Sequence, residues 1–227
     1  MNEKIIFHLQ DYFGTKDYKL KKTSDEIIFR KKFVNGFQEI GISSSNYYPR
    51  HYLSWGYGMR IDEIEKVMVE LEKCFRPNFF YLQKDSLTYV FSPRLMFKDI
   101  DYEQKIEKER DVIEAVNAIK EFTEKYAFPL FDFLSDIKKV DNEINGNGDN
   151  FWSDDEKKKF RIHRFDVRRI VIAKLVKTPE EYKRFTEKLM EEEDKQIELL
   201  RQSDEKNKDL KNWFVPKILG HLEEIVK

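Results

Sequence analysis

Between Leu53 and Leu71 the hydrophobic period of the chain changes from two residues to nearly four. Leu53, Trp55, Tyr57, Met59 and Ile61 take every second position, with Ser54, Gly56, Gly58 and Arg60 between them. That alternation marks a strand with one buried face. Ile61, Ile64, Val67, Met68 and Leu71 then fall at helical spacing, leaving Asp62, Glu63, Glu65 and Lys66 for the outer side. A sheet with one apolar face, leading into a covering helix over 61–75, is the expectation.

Upstream, Ile5, Ile6, Leu9, Tyr12 and Phe13 predict a short amphipathic helix ended by Gly14. Strand-like runs follow at Tyr18 to Thr23, Glu26 to Val34 and Phe37 to Ser43. Asn35-Gly36 supplies a hairpin signal, because both residues tolerate the positive φ of a type I′ turn. With His51 to Ile61 this makes a four-stranded antiparallel meander. Phe79 to Leu82 and Leu87 to Phe91 are further strand candidates, and beyond Glu103 strand signals stop.

The later half reads as helical. Val112, Ala115, Val116, Ile119, Phe122 and Tyr126 form one stripe, interrupted at Pro129, and a helix from Leu130 to about Val140 follows. Asp141 to Ser153 is a polar, turn-rich loop. Ser153 with Glu156, and Thr178 with Glu181, have capping-box spacing, the second with Pro179 at the first helical position. Phe160 to Val176 predicts a largely buried helix, with a buried strand over 167–173 as the competing reading. A helix from Pro179 to about Gln202 carries Tyr182, Phe185, Leu189 and Leu200 on its stripe. The last spans roughly Leu210 to Val226. The fold class is α+β, with an N-terminal antiparallel meander and packed helix, then a C-terminal helical half. The domain reading is sheet plus helices over 1–100 and a helical half over 101–227, packed together as one domain.

Composition adds limits. The 227 residues are 37% charged and 15% aromatic, with a net charge of −1. Such a chain is too aromatic for disorder and has no global pull toward nucleic acid or anionic lipid. Charge is uneven, basic over 1–60 and acidic beyond 101. The single cysteine, Cys74, excludes an intrachain disulfide and a zinc site of several cysteines. No run approaches a membrane span, and the N-terminus lacks the apolar segment of a signal peptide, so a cytoplasmic address is expected.

Candidate chemistry is sparse. The four histidines make no zinc-hydrolase pair. The Asp141 loop fails the calcium-loop pattern in both registers: Trp152 occupies the final ligand position in one, and the other begins on Asn145. Trp55-Gly56-Tyr57-Gly58 lies within a strand, where glycines make room for a neighbour rather than for phosphate. No cofactor is expected. His51, Trp55 and Tyr57 are the candidate ligand-facing residues of the strongest strand. Arg161, Arg164 and Arg168, at helical spacing, form a candidate anion grip. Lys19, Lys21, Lys22, Arg30, Lys31 and Lys32, near Tyr18, Phe29 and Phe33, are the alternative, a cationic sheet for single-stranded nucleic acid.

Three segments, FRKKFVNGFQEIGIS, WGYGMRIDEIEKVM and RRIVIAKLVKTPEEYKRF, together resemble uncharacterised bacterial α+β domains. Some of these occur near polymorphic toxins and are thought to act as immunity proteins. The resemblance lies in pattern over 18–75 and 161–190 and carries no catalytic residues with it. With the absence of catalytic signatures and the charge-rich surface, the expectation is a cytoplasmic protein-binding chain, immunity-like or regulatory, with a protein partner, no membrane and no catalysis. Binding of nucleic acid or an anionic ligand through Lys19–Lys32 or Arg161–Arg168, or an enzyme whose site is scattered in sequence, are the alternatives.

Overall fold

A computed structural model describes residues 2–22, 26–47, 50–75, 82–97, 104–145, 161–162, 165–203 and 214–226. The meander forms as expected. Helix α1 (Asn2–Gly14) leads into β1 (Lys19–Lys22), β2 (Glu26–Phe33), β3 (Gly36–Tyr47) and β4 (Arg50–Ile61), all antiparallel. Helix α2 (Asp62–Lys73) follows directly. β5 (Tyr89–Phe91) and β6 (Gln104–Ile106) both pair with β4, on Tyr57–Met59 and His51–Leu53 respectively, and β7 (Arg161–Ile162) extends the sheet from β5. β6 and β7 lie in the half where no strand was expected. Runs of three and two residues carry no periodicity, so only their pairing partners define them. The strand candidate at Phe79 to Leu82 falls almost wholly outside the described residues.

The remaining helices are α3 (Pro93–Met96), α4 (Glu109–Phe122), α5 (Phe128–Leu134), α6 (Ile137–Asn145), α7 (Phe165–Val176), α8 (Pro179–Ser203) and α9 (Phe214–Ile225). α4 runs into α5 through a π-helical turn, Thr123–Ala127, in which the Phe128 N–H donates to the Thr123 carbonyl. The wider turn precedes Pro129, which has no N–H to continue an α-helical ladder. The predicted helix from Leu130 to Val140 is two helices. Asp136 Oδ1 accepts the N–H groups of Lys138 and Lys139 and so starts a new one. Asp141 to Asn145, expected to be loop, close α6, whereas Gly146 to Ser153 and Glu156 lie outside the described residues. Over 167–173 the helix prevails.

The described residues form two compact units. The first holds α1, the sheet, α3, α4 and α5; the second holds α2 from Glu63 onward with α6 to α9. In the first, the α1 stripe Ile5, Leu9 and Phe13 is fully buried, as are Phe29, Ile40, Leu53 and Met59 of the sheet. Tyr57 lies between Phe91 and Phe122, with ring centroids 5.1 and 5.5 Å away and nearly parallel planes. Thr123 Oγ1 donates to the Ile119 carbonyl at 2.6 Å, so the Tyr57 hydroxyl donates to Thr123 at 2.9 Å. In the second unit Ile64, Met68 and Leu71 of α2 and Ile170 to Ala173 of α7 are buried.

The hairpin between β2 and β3 differs from its sequence signal. Phe33 pairs with Gly36, so the two-residue loop is Val34-Asn35. Gly36, at φ +149°, is the first residue of β3, and a Cβ there would meet the Arg60 carbonyl oxygen at 1.9 Å. Glycine is needed for the approach of β4, and the turn is not of type I′, since Asn35 does not take positive φ.

Candidate functional site

The residues singled out in the sequence lie apart. Trp55 and Tyr57 face the core of the first unit, 7% and 3% exposed, and have packing roles. His51 is exposed on β4, opposite Asn46 and Ile106. Arg161 sits in β7, opposite Val90, and Arg164 lies outside the described residues. Arg161 lies in β7 and Arg168 in α7, so these two do not share one helix face. Arg168 is wholly buried against Glu65 of α2. Glu65, read as an outer residue, is 1% exposed: it lies four residues after Ile61 and three before Met68, inside the apolar stripe.

Two members of the basic set on the first strands, Lys21 and Arg30, are closely ion-paired. Lys21 and Arg30 both reach Asp85, at 3.1 and 2.9 Å, and Arg30 also grips Glu39 at 2.7 Å. These cations hold the Asp85 carboxyl down at about 2. Tyr18 and Phe29, the aromatics a base would need for stacking, are buried.

Two surface features stand out. The first is the far half of α8. Its inner stripe, Tyr182, Thr186 and Leu189, is buried, and the same stripe continues as Glu193, Gln196 and Leu200. No residue from 190 to 202 is buried, and Leu199 and Leu200 stand 58% and 48% exposed. Glu191, Glu192, Glu193, Asp194 and Glu198 outnumber Lys195 and Arg201 on this stretch. The near end is firmly fixed: Glu181 and Thr178 exchange the reciprocal bonds of the expected capping box. Tyr182 and Phe185 lie under the cations Lys174 and Arg169, respectively.

The same unit contains a buried polar network. Lys177 bonds Asp141 at 2.5 Å, and Asn145 Nδ2 donates to Asp141 and to the Arg169 carbonyl. Arg169 Nε donates to Asn145 Oδ1 at 3.0 Å. Burial lowers the Arg169 guanidinium to about 10, against the pull of Glu192 and Asp141. These groups satisfy one another and fasten α6 to α7.

The second feature is a concavity of about 570 Å³ in the first unit, at the turn from α1 into β1. Gly14 is the last helical residue, but the left-handed conformation falls at Asp17, φ +67°, an acidic residue that tolerates it. The Tyr18 N–H then returns to the Phe13 carbonyl at 3.0 Å. Tyr18 is thereby placed beside Phe128, and its hydroxyl donates to Gln38 Oε1 at 2.8 Å. Lys31, Asp17 and Asp132 complete the charged part of the wall. The reading of the sequence missed Tyr18, Gln38 and Asp132 as a group, and no local motif joins them.

Among the described residues no group of three or more His, Cys, Asp or Glu is placed to hold a metal ion, and no helix is long and apolar enough to cross a membrane. No protein-family model, curated protein or solved structure matches this chain significantly.

Proposed function

We propose that this chain is a non-catalytic protein-binding protein of the cytoplasm, immunity-like or regulatory in kind, and that it meets its partner through the far half of α8. One observation carries this reading: residues 190–202 form well-defined helix with no buried residue, while exposing two adjacent leucines among acids. Isolated helical turns are marginal in water, and a helix gains most of its stability by burying an apolar face. The partner is a protein that offers a basic rim and an apolar recess for Leu199 and Leu200. Anchors of this type, central apolar groups within a charged surround, concentrate binding energy. The resemblance to domains near polymorphic toxins favours a bacterial source and the immunity-like form of this role. The pairing of Lys21 and Arg30 with Asp85 and Glu39, and the burial of Tyr18 and Phe29, weigh against a nucleic-acid partner.

The test compares three immobilised proteins in lysate of the source cells: the wild type, the double variant Leu199→Glu/Leu200→Glu, and Glu191→Lys/Asp194→Lys. All three should show the same helical circular dichroism, since the altered side chains are at the surface. One protein retained in stoichiometric amount by the wild type, released by salt and lost from both variants, is the expected result. Equal retention by all three, or retention of nothing, overturns the proposal.

A further inference from the structure

The concavity beside Tyr18 lies outside the protein-binding reading and combines unusual components. Its accessible lining is mainly polar, while Tyr18 and Phe131 in the wall are buried, 5% and 1% exposed. Its polar wall has one hydrogen bond already made, from the Tyr18 hydroxyl to Gln38 Oε1. That bond fixes the Gln38 amide with Oε1 toward Tyr18, leaving the Nε2 donors for another acceptor. Lys16 is engaged elsewhere, bound to Glu124 at 2.7 Å over the rings of Tyr12 and Phe128.

The remaining charges are Lys31, Asp17 and Asp132. Lys31 lies 3.7 Å from Asp17, beyond hydrogen-bonding distance, and both are solvent-accessible, so the contact is weak and exchangeable. Asp132 has no ion-pair partner among the described residues. Its charge reaches Tyr18, whose phenol is raised by burial first and by Asp132 second. The site therefore presents an unpaired carboxylate, a loosely held ammonium and free amide donors. It fits a small molecule that is itself neutral overall and doubly charged.

We infer that the Tyr18 concavity binds a small zwitterion of the amino-acid class. The ligand's α-ammonium is held by Asp132 and its α-carboxylate by Lys31 and Gln38 Nε2. A concavity of about 570 Å³ accommodates a single amino acid.

The probes are the common L-amino acids, screened singly by thermal shift and then by isothermal titration, at concentrations up to about 10 mM. At least one is expected to raise the melting temperature and to bind with one-to-one stoichiometry. Its Nα-acetyl and carboxamide derivatives, each lacking one charge, should bind at least about tenfold more weakly, a loss of about 1.4 kcal/mol. Asp132→Asn and Lys31→Gln, both at accessible positions, should weaken binding similarly while leaving the ligand-free melting temperature unchanged. Failure of every amino acid to bind overturns the inference. So does binding that survives Asp132→Asn and Lys31→Gln, or equal binding of the blocked derivatives. A change in partner capture by the α8 variants would leave these results unaffected, so the two proposals fail separately.

Discussion

Arg168 holds Glu65 with two parallel hydrogen bonds, Nε to Oε1 at 2.8 Å and Nη2 to Oε2 at 2.6 Å, and both side chains are essentially without solvent contact. The pair joins α2 to α7 inside the second unit. Paired geometry of this kind offsets much of the cost of burying two charges, but it seldom exceeds what apolar packing would contribute. Removing one partner is another matter. Glu65→Ala should destabilise the protein by about 3–5 kcal/mol, because the guanidinium stays buried without its carboxylate. The double change Glu65→Leu/Arg168→Met should recover most of that loss. Urea denaturation of the three proteins checks both expectations; an additive double variant would contradict them.

Gly36 and Gly41 lie on the same strand and should respond oppositely to alanine. At Gly36 a Cβ would overlap the Arg60 carbonyl oxygen, and φ is positive, so Gly36→Ala should cost at least about 2 kcal/mol. At Gly41 nothing lies within 4 Å, and Gly41→Ala should be neutral or stabilise by up to about 1 kcal/mol. Melting curves of the two variants suffice.

Alkali should unfold the protein cooperatively. The phenols of Tyr12, Tyr18, Tyr57 and Tyr182 are all raised, in each case chiefly by burial. In the unfolded chain they ionise near pH 10. Their contribution to stability is therefore complete below about pH 10 and declines as the pH rises above it, since only the unfolded state readily releases these protons. Absorbance at the phenolate band should show some tyrosines titrating early and the rest only as circular dichroism is lost. Full phenolate absorbance with the helical signal intact would contradict this assignment.

Much of the fold was legible because it follows local periodicity. The alternation from Leu53 to Ile61 became β4, and the capping pair Thr178 and Glu181 marked the start of α8. What was missed depends on distant partners. β6 and β7 exist through pairing with β4 and β5, and the hairpin loop lies one residue earlier than its signal because Gly36 is required by Arg60 on the neighbouring strand β4. The candidate site was hardly legible. Glu65, the acid that pairs with Arg168, lies 103 residues away and no local pattern joins the two, and the wall of the Tyr18 concavity is drawn from the turn between α1 and β1, from β2, β3 and α5.

The central claim is that residues 190–202 of α8 are the partner surface. Hydrogen–deuterium exchange of the chain alone and with its captured protein partner tests it most directly. The account predicts that the amides of Met190 to Gln202 exchange faster in the free protein than those of the near half of α8, whose stripe Tyr182, Thr186 and Leu189 is buried, and become strongly protected in the complex. Protection confined to other segments, with α8 exchange unchanged, would contradict it.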